Sequence, residues 1–252
     1  MAEADNVTTL AGRARRLGLV GDFQAAHALL NEAGKLAGTD DGDLAACAIE
    51  RGRLYNTAGS PTLALPFFHE AWEKAQRAGR HGLAVDAAHM LAIVSAVDEA
   101  AKWTQVALDY IAGHPGTEHW RGPLYNNLGW TLFEADKFDE ALAMFEQGVS
   151  IREALGQPRE LRIARYAVIR ALRALERFDE AIALGERVIA IADADGEDAP
   201  FVQEELAECH AARGDAAAAK AHAVRAIAAL RGNPSFQKTE AARFARLLAL
   251  SA

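Results

Sequence analysis

A short motif recurs six times along the chain, and no other feature limits its fold as strongly. Each copy has a turn residue, a polar residue, usually an aromatic residue, two spacers and then alanine. The copies occupy residues 21–26, 59–64, 95–100, 136–141, 176–181 and 214–219, of which the third is the weakest. Their final alanines are 38, 36, 41, 40 and 38 residues apart. Self-similarity at such a period is typical of repeat architectures.

The fourth copy shows the pattern most fully. Leu128 and Gly129 precede its turn, and Ala141, Phe145 and Gly148 follow it. This order of large, Leu-Gly, large, turn, aromatic, Ala, aromatic and small resembles the signature of the tetratricopeptide repeat (TPR) family. The resemblance extends over nearly the whole chain, although the period exceeds the family's usual length of about 34 residues.

The resemblance implies an all-α protein, a right-handed α-α superhelix of antiparallel helix pairs. An alanine-rich composition with few β-branched residues favours the same class. We expect about thirteen helices in one solenoid domain over residues 1–252. The expected repeats are 7–40, 45–78, 81–112, 122–155, 162–194 and 200–231, followed by a capping helix over 235–250.

Small residues should bring the two helices of each pair close together. Gly52 on a first helix is expected to meet Ala64 on the second, and Gly129 is expected to meet Ala141 in the same way. Aromatic side chains then fill the space between successive pairs. One hairpin cannot bury its apolar face alone, so stacking of neighbours makes the core.

Composition narrows the functional classes. The net charge is −8, which argues against the basic surface that a nucleic-acid-binding protein needs. No apolar run is as long as the roughly 18–20 residues of a membrane span, and no secretory signal is visible. Two distant cysteines make no disulfide framework, which favours a cytoplasmic setting. The Ala/Arg-rich composition suggests a bacterial source.

The usual catalytic signatures are missing from the sequence, so we expect no enzyme, no cofactor and no metal. His114 and His119, with Glu118 between them, could offer three metal ligands, but loop histidines beside Gly and Pro are usually only solvated. Cys47 and Cys209 lie in alanine-rich helices and are expected to be small core residues.

In TPR proteins the first helices line a concave groove that binds extended peptides. Family positions place the following residues there: Arg15, Arg53, Asn56, His89, Asn126, Asn127, Trp130, Tyr166, Arg170 and Arg173. Arginine can grip carboxylates and asparagine can hold peptide backbone, so a partner with acidic groups is expected. On this interpretation, acidic residues on the inner face begin only at the fourth copy.

Some TPR proteins hold a C-terminal carboxylate in a clamp of lysines, asparagines and an arginine. Asn127 occupies an asparagine position of that clamp, but Val85, His89, Ile163 and Ala167 stand at its basic positions. The clamp is therefore not reproduced, and Asn127 could instead face the neighbouring copy.

The sequence thus predicts a non-catalytic protein-interaction scaffold that binds a peptide or a partner-protein segment, with no nucleic acid and no membrane. Two alternatives stay open. One is a regulatory sensor of a small peptide or metabolite, with a deep pocket near Trp130. The other is a homo-oligomer formed through the capping helix or a terminal repeat.

Overall fold

The computed structural model describes residues 6–252, which form α-helices with no strand among them. Their bounds are α1 (Val7–Leu19), α2 (Phe23–Ala37), α3 (Asp41–Thr57), α4 (Pro61–Arg77), α5 (His81–Val94), α6 (Val97–Gly113), α7 (Arg121–Glu134), α8 (Phe138–Ala154), α9 (Pro158–Ala174), α10 (Phe178–Ala194), α11 (Pro200–Ala212), α12 (Ala216–Leu230), α13 (Pro234–Thr239) and α14 (Ala241–Ser251). A 3₁₀ turn over Glu118–Trp120 leads into α7. The predicted all-α class of consecutive helix pairs is confirmed.

The described chain consists of two compact units, residues 6–131 and residues 132–252. The boundary lies inside α7 rather than in a linker. In the first unit α1 packs on α2, α3 on α4, and α5 on α6. In the second unit α9 packs on α8 and α10, and α11 packs on α12. The single solenoid domain stays a prediction.

The alanine that ends each repeat motif is buried. Ala26, Ala64, Ala141 and Ala181 have no exposed surface, and the equivalent alanines at 100 and 219 are 1% and 2% exposed. A methyl group at this position lets the second helix of a pair approach its neighbours closely, since any larger side chain would need space that close packing does not leave.

Gly52 of α3 leaves room for the ring of Phe68. A Cβ atom on Gly52 would lie 2.5 Å from the nearest ring carbon of Phe68, a fully buried side chain of α4. The structure thus adds a close approach of Gly52 to an aromatic ring, and the predicted contact of Gly52 with Ala64 stays a prediction. The ring packs with Ile49, Ala64 and Leu91 in the core of the first unit.

In five of the six copies, the tight turn has one residue in the left-handed region; Ser95 of the third copy, with a φ of −97°, does not. Gly21, Gly59 and Gly214 have φ values of 85°, 76° and 78° there. Asp136 and Glu176 stand at the same motif position, and each has a φ of 58°. Non-glycine residues adopt this conformation less readily. At these positions, the first residue of the sequence motif therefore marks a positive φ angle.

The C-terminal segment is two helices instead of the one predicted. The break falls at Glu240, which has φ −121° and ψ 37° and separates α13 from α14. Phe236 and Leu247 pack against α12 and are buried, with Phe244 beside them. Leu248, next to the buried Leu247, is 44% exposed. This segment covers the apolar face of the last pair, which a repeat protein requires.

Within residues 6–252, no helix is both long and apolar enough to cross a membrane.

Candidate functional site: the first-helix face

The first helices of the pairs present a polar surface that we call the first-helix face. Its residues in the first unit are Arg15, Glu50, Arg53, Asn56, Asp86, His89, Asn126, Asn127 and Trp130. In the second unit they are Ile163, Tyr166, Arg170, Arg173, Phe201, Glu204, Glu205 and Glu208.

Ion pairs connect the first helices of the first unit. Arg53 of α3 contacts Glu50 one turn away on its own helix and lies 2.5 Å from Asp86 Oδ1 of α5. Arg15 of α1 approaches Glu50 from the other side, at 3.5 Å. The side chains of Glu50, Asp86 and Arg53 are only 10–15% exposed. Burial lowers the pKa of Arg53, but the neighbouring Asp86 and Glu50 raise it by more, so its guanidinium stays charged.

A neutral hydrogen bond continues this connection from α5 to α7. Asn127 Nδ2 lies 2.5 Å from His89 Nε2, and Asn126 Nδ2 donates to Asn127 Oδ1 at 3.2 Å. Burial, together with the charge of Arg53, lowers the pKa of His89 to about 4 despite the opposing charge of Asp86. The imidazole is therefore neutral at pH 7, and its Nε2 accepts the hydrogen from the amide of Asn127. Asn127 faces the preceding repeat.

In the second unit a buried carboxylate holds two arginines of α9. Glu205 of α11 is 1% exposed and contacts Arg173 Nε. Arg170 Nη1 lies 3.8 Å from Glu205 Oε1 and donates to the hydroxyl of Tyr166 at 2.9 Å. The guanidinium of Arg170 also stands 5.6 Å from the ring centre of Phe133. Arg170 and Arg173 are thus built into the packing of α9 on α11.

The terminal helix α14 takes part in the same surface. Arg243 donates two hydrogen bonds of 2.8 Å to Glu204 of α11, and its Nη2 lies 3.3 Å from the hydroxyl of Tyr166. Arg246 pairs with Glu208 at 3.1 Å. Burial raises the pKa of Glu204, while Arg243 opposes that rise. The basic side of α14 therefore covers an acidic row on α11.

A cavity of about 540 Å³ opens on the first-helix face between α9, α10 and the start of α11. Ile163 and Phe201 line it and are 57% and 38% exposed. The remaining lining residues are Arg159, Arg162, Tyr166, Val188, Asp198, Ala199, Pro200 and Val202. A volume of this size lies in the range of small-molecule and side-chain pockets, roughly 300–1,000 Å³.

His114, Cys47 and Cys209, which the sequence singles out, are occupied by local contacts or by burial. His114 Nδ1 donates a hydrogen bond of 2.7 Å to the backbone oxygen of Tyr110, and the two rings stack with their centres 3.8 Å apart. In the part of the chain that the structure describes, no three His, Cys, Asp or Glu side chains are grouped as metal ligands. Cys47 and Cys209 are both buried, and burial raises the pKa of Cys209 to about 12, which leaves its thiol protonated and unreactive.

The predicted arginines lie on the first-helix face, and carboxylates of neighbouring residues pair with them there. Glu50 and Asp86 belong to the second and third repeats, so the expectation that inner acids begin only at the fourth copy is wrong. A sequence signal existed for one of them, because Glu50 lies three residues before Arg53 and shares its side of the helix. Asn56 is half-buried, as is Trp130. No measurement tests binding at the ten predicted residues, so their role stays a prediction.

Comparison with known proteins agrees with this architecture. Residues 124–157 match the family model of the tetratricopeptide repeat. No curated protein matches the sequence significantly.

Solved structures extend the likeness to the whole chain. The apo form of RapI superposes with a TM-score of 0.77 at 10% identity, covering 97% of this chain and 72% of RapI. BtubC from P. vanneervenii gives a TM-score of 0.67 at 21% identity, covering 88% and 92%. Aspartyl phosphate phosphatase F from Bacillus subtilis gives 0.66 at 13% identity, covering 96% and 69%. At such identities the likeness shows the fold. The TPR resemblance inferred from the sequence is confirmed by the family match at residues 124–157 and by the helical-repeat fold that the chain shares with these structures.

Proposed function

We propose that this protein is a non-catalytic interaction module that binds a segment of a partner protein in a concave groove formed by its first-helix face. A general protein-binding role is supported by the TPR match at residues 124–157 and by the similarity to TPR-type solved structures. The observation that carries the groove assignment is the cavity beside Tyr166, where Ile163 and Phe201 keep large apolar surfaces exposed next to arginines. Exposed apolar surface rimmed by polar groups is typical of interaction sites.

The partner segment carries acidic groups. Arg15 is half-exposed, and the cavity adds Arg159 and Arg162 to the arginines predicted from the sequence. The buried carboxylates fix the remaining arginines in place, so those side chains contribute shape and hydrogen bonding more than net charge. The buried, protonated thiols Cys47 and Cys209 support a cytoplasmic location.

A sensor of a small peptide or metabolite is the second candidate, and the 540 Å³ volume of the cavity favours it. The cavity lies beside Tyr166 rather than near Trp130, where the sequence placed it. Self-association through α14 is a third candidate, and it is supported by the exposed side chain of Leu248.

The test is affinity capture from the source cell with identification by mass spectrometry. The bait proteins are the wild type, Trp130→Ala, Tyr166→Ala and the control Lys137→Ala, whose exposed side chain pairs with Glu140 of α8. We expect one set of partners to be lost from the Trp130 or Tyr166 variant and kept by the control. Capture that is equal for all four baits would place the functional surface elsewhere.

A further inference from the structure

Arg162 has an unusual position at the rim of the cavity between α9, α10 and α11. One side of its guanidinium, Nη2, is held by Glu197 in the loop between α10 and α11. The other nitrogen, Nη1, is buried and has no hydrogen-bond partner among the residues that the structure describes. A buried donor without an acceptor costs about 1–3 kcal/mol, and more when it is charged. Such a group marks a place where an acceptor from outside the chain would be stabilised.

The cavity beside this donor is apolar. Ile163 lies one residue further along α9, and Phe201 faces it from the first turn of α11, with Val188 and Val202 also lining the space. Two exposed apolar side chains at one cavity favour a ligand that removes both from water, at about 25 cal/mol for each Å² covered.

The charges around the cavity favour an acceptor that is itself negative. Arg159 lines the rim and forms no ion pair within residues 6–252, whereas the acidic lining residue is Asp198. Glu197 already holds Arg162, so the cationic groups still available are Arg159 and the Nη1 side of Arg162. A carboxylate meets this need better than a neutral amide, because hydrogen bonds between charged partners are about twice as strong as neutral ones.

Resting on the proposed function, we infer that this cavity is a specificity pocket for a partner-protein segment in which a large apolar residue adjoins an aspartate or glutamate. The apolar side chain enters between Ile163 and Phe201, and the neighbouring carboxylate accepts a hydrogen bond from Arg162 Nη1. Tyr166 contributes the wall of the pocket, because its hydroxyl is already engaged by Arg170 and Arg243.

Panning of a phage library of random dodecapeptides on the immobilised full chain tests this inference. The selected sequences should be enriched in Leu, Ile, Phe or Met next to Asp or Glu. Recovery of no peptides, or of peptides with basic or wholly polar sequences, would overturn it.

Matched variants locate the binding of a selected peptide, measured by fluorescence anisotropy. Arg162→Gln should weaken it roughly tenfold to a hundredfold. The control Arg165→Gln changes an arginine of the same 22% exposure that is paired with Glu153. Ile163→Asp should abolish binding, while Leu63→Asp, equally exposed at 57% on α4, should not. Circular dichroism should show unchanged helical content for all four variants.

The results with these variants distinguish the specificity pocket from the proposed function as an interaction module. Peptides that bind regardless of Ile163→Asp and Arg162→Gln, but are lost with Trp130→Ala, would refute the pocket and keep the interaction module. Loss of binding in the controls to the same degree would also refute it. If the dipeptide acetyl-Leu-Asp competes as well as the dodecapeptide at equal concentration, the ligand is a small molecule and the partner segment is wrong.

Discussion

The two units stabilise the same kind of surface in different ways. In the first unit the charge pairs run among the first helices themselves and end on the neutral pair of His89 and Asn127. In the second unit they run from α9 through α11 to the arginines of α14. In the first unit a cation, Arg53, lies between two largely buried carboxylates. In the second unit a buried carboxylate, Glu205, lies between two arginines. The first unit should therefore be the more sensitive to loss of a cation and to acid.

The sharpest test of this comparison is removal of the bridging arginine from the first unit. Arg53→Met leaves Glu50 and Asp86 buried with their main counter-charge gone, since Arg15 is more distant. Breaking a buried ion pair by removing one partner costs about 3–5 kcal/mol, and we expect a loss in this range in urea unfolding.

The matched change in the second unit is Arg243→Met, which leaves the single carboxylate of Glu204. We expect a smaller loss, of about 1–3 kcal/mol, because a lone buried carboxyl can take up a proton. Arg77→Met, at an exposed pair with Asp41, is the surface control and should unfold close to wild type. Equal losses for Arg53→Met and Arg243→Met would contradict the proposed difference.

Acid should weaken the first unit through His89. Its pKa is about 4 in the folded protein and near 6.5 when unfolded, so the unfolded chain binds more protons between these values. The stabilisation is complete above pH 6.5 and is lost as the pH falls toward 4, by up to about 3 kcal/mol.

Carboxylates also titrate in this range, so the informative quantity is the difference between the wild type and His89→Gln. The glutamine can accept the hydrogen bond from Asn127 but does not titrate. The difference in unfolding free energy between the two proteins should narrow on acidification. A constant difference from pH 7 to pH 4 would show that His89 titrates normally.

The two units should also differ in their tolerance of an added methyl group. Gly52→Ala places the new atom against three carbons of the rigid Phe68 ring, and overpacking of this kind costs about 1–3 kcal/mol. Gly185→Ala on α10 meets a methyl carbon of Leu206, the far end of a flexible side chain, so it should cost less. The two substitutions raise helix propensity by the same amount, so the Gly185→Ala variant should have a higher unfolding temperature than the Gly52→Ala variant. The reverse order would mean that the first unit adapts more easily.

The smallest effect concerns the exposed end of the second unit's charge row. Arg246→Ala removes the pair with Glu208, in which Arg246 is 56% exposed. We expect a change of less than about 1 kcal/mol in urea unfolding that shrinks further in high salt. A loss comparable to that of Arg243→Met would mean that α14 depends on both arginines equally.

Much of the fold could be predicted from the sequence, because in a repeat protein the residues that pack together recur at a regular spacing along the chain. The alanines at one motif position predicted the six buried contacts, and the turn residue predicted where the backbone reverses. Each depends on residues close together in the chain. The break at Glu240 could not be predicted, since residues 235–250 contain no glycine or proline that would interrupt a helix.

The family pattern placed Arg53, His89, Asn127, Arg170 and Arg173 on the first helices, and the structure brings them to the face described. What they contact depends on residues more than thirty positions away. Arg53 meets Asp86, His89 meets Asn127, and Arg173 meets Glu205.

The sequence by itself determined the helices, the pairs and the sides on which polar residues lie, because these follow from a spacing of three to four residues. Only the tertiary structure decided which charges are neutralised, which histidine is kept uncharged, and that Arg162 retains a buried donor beside Ile163. The physical reason is that ionisation and hydrogen bonding depend on burial and on distances of a few ångströms between helices, which no local pattern records.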